Sequence, residues 1–351
     1  MTDVRSNKVT QDEQKALSGA GAANSPTLCW HDLTGSGTAG STAAVPGTAG
    51  SNLESTNSVI ENTAISGADR ALAYGDGLFA TMRVLDDGRI TCLDTHLSRL
   101  AQGMLRLGFF RTDSHSGMPA DSTSSAGADK PSAQDALLSQ LLAHIKSRLI
   151  IAASLHKGGG LKLILSRGEG GRGYLAPSNP KVLAVLSAFA LPAHYSDWRA
   201  RGVALASASL QLGRQPKLAG MKHLNRLEQV LIRAEPLPDW ADDFLVKDCN
   251  GEVIESSMAN LVFIVGNTCI TPHHSYAGVS GVMRQCLLEA LLSLGYRVEA
   301  KAVSEALLTC CDAVLMSNSL MGVIEVRRIN HHYFPEFHGI DAVRDALDSF
   351  L

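Results

Sequence analysis

The sequence predicts a two-domain protein of the mixed α/β (α+β) class. Three observations carry that expectation. The chain has 351 residues, more than a single hydrophobic core usually serves. Short apolar and β-branched runs at 161–166, 181–191, 243–248 and 313–316 read as strands. Apolar residues recur every three or four positions at 97–107, 136–149 and 285–294, the spacing of helices with one buried face.

Composition narrows the functional classes. Hydrophobic residues make up 45% and charged residues 19%, an ordinary globular balance. Lys and Arg number 31 against 34 Asp and Glu, a net charge of −3, so nothing calls for nucleic acid or an anionic membrane. Residues 1–26 are polar, lack the apolar segment of a secretory signal, and are expected to form a disordered tail. No apolar run is expected to reach the length of a membrane span; the longest, within 182–192, suits a buried strand. The seven cysteines are scattered without a CxxC pair and are expected to be reduced thiols in a cytoplasmic protein. No metal is expected.

The N-terminal domain is placed at 27–191. A strand begins at Leu28-Cys29-Trp30. Residues 35–58 are rich in Gly, Ser, Thr and Ala, bury too little to offset their ordering entropy, and read as a flexible insertion. Gly75-Asp76-Gly77 is a turn into a strand that carries Thr81, and Asp86-Asp87-Gly88 turns that strand into a hairpin. Asp94 or Thr95 caps the next helix, where His96 and Arg99 lie one turn apart on one face. Residues 111–134 form a second flexible insertion. The glycine-rich loop 167–174 fails the P-loop pattern, because no Gly-Lys-Ser/Thr follows, and fails the Rossmann pattern, because Pro177 and Pro180 stand where a helix would start.

The C-terminal domain, 192–351, is organised around Lys222. A strand at 203–210 precedes it, Gly213, Pro216 and Gly220 break regular structure, and Leu224, Leu227, Val230 and Leu231 follow at helical spacing. Lys222 is therefore expected in a turn between a strand's end and a helix. Met221 and Leu224 beside it would desolvate the ammonium, lower its pKa and make it an amine able to form a Schiff base. Asn250-Gly251 and Gly266-Asn267 are hairpin turns, and Gly278 to Arg284 is a glycine turn entering a helix whose free amides would suit a phosphate.

Gly220-Met221-Lys222-His223-Leu224-Asn225-Arg226-Leu227, His96-Leu97-Ser98-Arg99-Leu100 and Glu255-Ser256-Ser257-Met258-Ala259-Asn260 together resemble the class IV, or fold type IV, pyridoxal-phosphate family. Segments around Gly75-Asp76-Gly77, Val282-Met283 and Ser317-Asn318-Ser319 carry the same resemblance, which covers most of the chain outside the tail and an insertion. It implies a two-domain fold like that of D-amino-acid aminotransferase, with pyridoxal 5′-phosphate in the interdomain cleft, and usually a homodimer. It implies that Lys222 is the Schiff-base lysine and catalytic base, that Glu255 pairs with the pyridine nitrogen, and that Arg99, the Val282 and Met283 amides and Ser319 hold the phosphate. Met283, the 167–174 loop and Asn318 look more like the family's lyase branch than its transaminases. That branch implies elimination of pyruvate from 4-amino-4-deoxychorismate to give 4-aminobenzoate. Thr81 would assist the leaving group, and Arg172 and Asn318 would hold the substrate. The alternative is an aminotransferase of the same class acting on branched-chain or D-amino acids.

Overall fold

The computed structural model describes residues 27–30, 65–110, 133–170, 173–177 and 180–348. The expected tail 1–26, the insertion 35–58, residues 111–132 of the second insertion and Arg172 lie outside the described residues.

The N-terminal half contains β1 (Thr27–Trp30), α1 (Arg70–Tyr74), β2 (Gly77–Arg83), α2 (Leu93–Leu107), α3 (Ala133–Leu155), β3 (Gly160–Ser166) and β4 (Leu183–Phe189). Its four strands form one antiparallel sheet in the order β1-β4-β3-β2. Alternation along β2 sorts its side chains. Leu78, Ala80 and Met82 are buried in a core shared with α2, α3 and β3, whereas Phe79, Thr81 and Arg83 point to the other face. Gly77 starts this strand where no side chain fits: an added Cβ would collide with the Leu165 carbonyl and lie 2.6 Å from Leu224 Cδ1.

Two helices differ from expectation. The return strand of the expected hairpin after Gly88 shrinks to a Val84–Ile90 bridge, and α2 starts at Leu93. Its N-cap is Cys92, in the left-handed region at φ 49° and without a side-chain cap bond, rather than Asp94 or Thr95. His96 is buried, not solvated. Helix α3 runs from Ala133, inside the expected insertion, to Leu155. The most apolar 18-residue stretch of α3, within Asp135–Leu155, reaches a mean hydropathy of 1.3, long and apolar enough by composition to cross a membrane, where no run of that length was expected. Leu138, Leu141, Ile145 and Leu149 of this helix are buried in the same core as β2 and β3.

The C-terminal half follows with α4 (His194–Arg201), β5 (Val203–Ser207), α5 (Leu227–Ala234), β6 (Asp243–Lys247), β7 (Val253–Ser256), β8 (Asn260–Val265), β9 (Thr268–Pro272), α6 (Val282–Ser293), β10 (Arg297–Lys301), β11 (Ala313–Asn318), β12 (Gly322–Ile329), β13 (His332–Tyr333) and α7 (Ile340–Asp348). Its large sheet runs β10-β9-β8-β11-β12-β5-β6-β7, with β13 paired to β12. Both faces of its middle are covered, which is why β8 and β11 read as unbroken apolar runs. Phe263, Met316 and Ile324 enter one core, and Val262, Leu315 and Val323 meet α6 and α7 in another. Helix α5 is shorter than its apolar spacing suggested. It buries Ile232, while Leu227, Val230 and Leu231 are 76%, 58% and 55% exposed, so that stripe faces outward.

An ion cluster ties the first sheet together. Asp76 meets Arg70 Nε at 2.8 Å and Arg167 Nε at 2.7 Å, with both arginines nearly fully buried. Arg70 also donates to the carbonyls of Gly173, Tyr174 and Leu175, and Arg167 to those of Leu107 and Gly108. The Gly75-Asp76-Gly77 turn is thus an anchor for the glycine-rich loop and for the end of α2.

Candidate active site

The lysine loop is pinned on both sides by backbone. Gly220 N–H donates to Gly278 O at 2.9 Å and Ser280 N–H to Gly220 O at 3.0 Å. Phe79 N–H donates to Lys222 O at 2.9 Å, and Leu224 N–H to Gly77 O at 3.0 Å. Gly220 takes φ 79°, and a Cβ there would press on Ser280 Oγ at 3.0 Å. Arg226 wraps the same loop, donating from Nε to His223 O and from Nη2 to Met221 O. The Lys222 ammonium therefore projects from a fixed backbone into a cavity of about 660 Å³, with Nζ 4.5 Å from the centre of the Phe79 ring. Burial, and then the nearby charges of Arg99 and Arg226, push the Lys222 pKa down to about 7, with Glu255 pulling weakly the other way. An amine with that pKa has a substantial neutral, nucleophilic fraction at physiological pH.

One end of the cavity is built to receive an anion. Helix α6 opens there, and its N-cap Gly281 has no side chain to satisfy the first-turn amides of Val282 and Met283. A Cβ at Gly281 would collide with the Asn260 Oδ1. Arg99 from α2 reaches the same end, donating from Nη1 to Ser280 O at 3.3 Å. Among the described residues its buried Nε has no partner, nor does the buried hydroxyl of Ser317. Burial and Arg226 lower the Arg99 pKa to about 10, so the guanidinium stays charged at neutral pH. Cys92, at the start of α2, touches Cys286 of α6 at 3.0 Å between sulfurs, holding these two elements side by side.

Glu255 lies on β7 at the cavity wall and is buried. Its Oε2 accepts from the Val279 amide at 3.0 Å and from Asn260 Nδ2 at 3.5 Å. Burial raises its pKa, against the opposing pull of the Val279 amide, Arg226 and Lys222. A carboxylate in such a place gains by meeting a cationic or proton-bearing nitrogen. His96 of α2 is buried with neither ring nitrogen partnered among the described residues, held neutral by burial and by the charges of Arg99 and Lys222.

Thr81, Ser319 and Asn318 line the same cavity as Lys222, Glu255, Arg99, Val282 and Met283, so eight of the nine expected residues converge. Arg172 is the ninth, outside the described residues. Asn318 is engaged in structure as well: its Oδ1 accepts from the Leu320 and Met321 amides, both at 2.9 Å, and caps the turn that carries Ser319. Tyr195, Arg226, Gln229, Arg233 and Ser317 also line the cavity and were not singled out from sequence. Arg226 stands four residues after Lys222, and that spacing was its available signal. Tyr195 enters from the segment after β4, which no local pattern links to the site.

The unpartnered Arg99 Nε, the uncapped helix end, the deprotonable lysine and the buried carboxylate match the donor set that pyridoxal 5′-phosphate requires, a phosphate clamp, an amine and a ring-nitrogen partner. If Arg99 carries the phosphate, Arg99→Ala removes a charge-assisted bond of about 1.5–3 kcal/mol. Cofactor affinity is then expected to fall roughly ten- to a hundredfold. Equilibrium titration of cofactor-stripped protein measures it, and an unchanged dissociation constant moves the phosphate elsewhere.

The model of the class IV aminotransferases matches residues 77–329, and the chain belongs to that family. Its mixed α/β architecture is that of the fold type IV enzymes. Aminodeoxychorismate lyase from Vibrio harveyi is 34% identical over 262 residues, 75% of this chain and 86% of that protein. The crystal structure of 4-amino-4-deoxychorismate lyase from Pseudomonas aeruginosa superposes with a TM-score of 0.68 at 35% identity, covering 82% of this chain and 95% of that one. A hypothetical aminotransferase from Mycobacterium tuberculosis in its PLP-bound form shares the fold, with a TM-score of 0.64, 20% identity and 83% and 94% coverage.

Proposed function

We propose that the protein is a pyridoxal-phosphate-dependent 4-amino-4-deoxychorismate lyase that releases pyruvate and 4-aminobenzoate for folate synthesis. The observation that carries this reading is the likeness, at 34% and 35% identity over most of both partners, to two lyases of that name, joined to a cavity wall that holds Lys222, Thr81 and Glu255 together. Pyridoxal phosphate supplies an electron sink for the bond electrons released next to the substrate nitrogen.

This chain's own groups do the rest. Lys222, with a pKa of about 7, takes the proton from the substrate carbon that bears nitrogen. Glu255 keeps a proton at the ring nitrogen. Arg99, the Val282 and Met283 amides and Ser319 hold the phosphate. Thr81, on β2 beside Phe79, donates a hydrogen bond to the enolpyruvyl oxygen as its carbon–oxygen bond breaks, and aromatisation of the carbocycle drives the step. Asn318 fixes the turn over the substrate, and Arg172 meets a substrate carboxylate. The reading divides the chain into domains at 27–191 and 192–351, placed in the cytoplasm. A homodimer belongs to it too, supported by the exposed Leu227, Val230 and Leu231 stripe of α5, which a second copy would cover.

Incubation with 4-amino-4-deoxychorismate and no keto acid is expected to yield 4-aminobenzoate and pyruvate in equal amounts. Strict dependence on an added 2-oxo acid, with pyridoxamine phosphate accumulating without it, would instead establish the class IV aminotransferase. Thr81→Val is expected to lower kcat by roughly 10²-fold while KM changes little, as for a contact made mainly in the transition state. An equal loss through KM would make Thr81 a binding group.

A further inference from the structure

We infer that a second cavity, behind the Ser319–Met321 turn, is a binding site for a small apolar carboxylic acid. Its volume is about 530 Å³, and it shares Tyr195, Met283, Ser319 and Leu320 with the main cleft. Three guanidinium groups reach it from three different elements, Arg83 from the end of β2, Arg199 from α4 and Arg344 from α7.

Their contacts place them around one spot. Arg83 Nη1 donates to Leu320 O at 3.4 Å. Two residues on, Arg199 Nη1 lies 3.5 Å from where a Cβ of Gly322 would stand. Arg344 Nη2 donates to Arg199 O at 3.1 Å, and Arg344 Nε is buried without a partner among the described residues. Arg83 and Arg344 both depress the Arg199 pKa after burial does, so each senses the others' charge. On the acidic side the cavity wall holds Asp348, and Asp341 touches Arg344 at 3.5 Å from an exposed position. Among the described residues three lining cations face one lining carboxylate, and with Asp341 counted against Arg344 the balance stays positive.

The remaining walls define the ligand. Leu85, Leu191, Leu320, Val323 and Leu347 are apolar, and the volume is far larger than one inorganic anion needs. Concave apolar walls with a few convergent polar groups are the usual make-up of a small-molecule site. The guanidinium fork matches a planar carboxylate in two parallel hydrogen bonds. An acid with a ring or short alkyl body satisfies both features, its carboxylate at the arginines and its body along the leucines. Because the turn at 319–321 forms the wall between the two cavities, an acid bound here stiffens the segment that carries Ser319. Binding requires no turnover, so the inference stands or falls apart from the reaction assigned to the main cleft.

Calorimetric titration of the holoenzyme with sodium benzoate tests it. The expected result is saturable one-site binding that Arg199→Gln and Arg344→Gln each weaken at least about tenfold. Arg199→Lys, which keeps the charge and loses the fork, is expected to recover part of the affinity. Melting temperatures equal to the parent's establish that the variants fold, and Arg199, at the open rim, is the one whose replacement leaves packing intact. Absence of binding overturns the inference, as does an affinity indifferent to both substitutions. Competition by inorganic phosphate as strong as by a second carboxylic acid also overturns it, since the pocket would then select charge alone.

Discussion

Lys222→Ala is expected to lower the rate of 4-aminobenzoate release by about 10⁴-fold, the upper range for loss of a general base that also holds the cofactor covalently. The near-visible absorption of lysine-bound cofactor is expected to vanish with it, and borohydride treatment of the parent is expected to fix the cofactor on Lys222. Fixation on another lysine would displace Lys222 from the centre of the site. The loss is chemical rather than structural, because backbone contacts from Phe79, Leu224 and Gly278 hold the loop whatever side chain stands at 222. Stability gives an independent check of the depressed pKa. The unfolded lysine binds a proton below about 10.5, whereas the folded one binds it only below about 7. Between those values the unfolded state carries the extra proton, so stability rises with pH across that window. In cofactor-stripped protein, Lys222→Met is therefore expected to be more stable than the parent at pH 7, with the gap closing toward pH 10.5. Parallel denaturation midpoints across that window would mean the amine is not desolvated.

The sequence showed most of this site because its residues sit in short segments with strong local signals. The lysine loop lies between Gly220 and a helix, Glu255 follows an Asn-Gly hairpin, and the Val282 amides open a helix behind Gly281; each is legible within ten residues. The strands β2, β3, β6, β8 and β11 were legible for the same reason, as short apolar runs. What sequence missed depends on distant partners. Arg167 reads as a loop cation, yet it is buried because Asp76 and the carbonyls of Leu107 and Gly108 receive it. His96 shares a helix face with Arg99, and only tertiary packing decides that this face points inward. The apolar spacing after Lys222 predicted a helix, but just Ile232 finds the core, because α5 begins at Leu227 and turns its leucines outward. The arginine cavity draws on residues 83, 199 and 344, a separation no motif spans.

Asp76→Asn is expected to destabilise the fold by about 3–5 kcal/mol, the cost of removing one partner from a buried ion cluster. Asp76 is the shared anion of Arg70 and Arg167, whose side chains are 4% and 5% exposed. Replacing the carboxylate by an amide keeps the shape and leaves two buried guanidinium charges facing a group that also carries donors. Arg70 would still reach the 173–175 carbonyls and Arg167 those at 107 and 108, so the loss is one of charge balance rather than of every bond. Urea denaturation at pH 7 measures it, and a difference below about 1 kcal/mol, the value of an exposed pair, would show that the cluster is solvated. The pH dependence has a definite sign. Burial alone would raise the Asp76 pKa, but the hydrogen bonds and charges of Arg167 and Arg70 outweigh it and hold the group below its ordinary 3.8. A depressed carboxylate contributes stability that is present above the unfolded value and is lost as pH falls through the folded one. The parent is therefore expected to lose this share of its stability below pH 3.8, and the Asp76→Asn variant, which has no proton to take up there, to show a flatter acid limb. Because Gly77 follows Asp76 and its carbonyl accepts from the Leu224 amide of the lysine loop, the same variant is expected to lose cofactor affinity before it loses its fold; titration with pyridoxal phosphate below the denaturation midpoint checks that order.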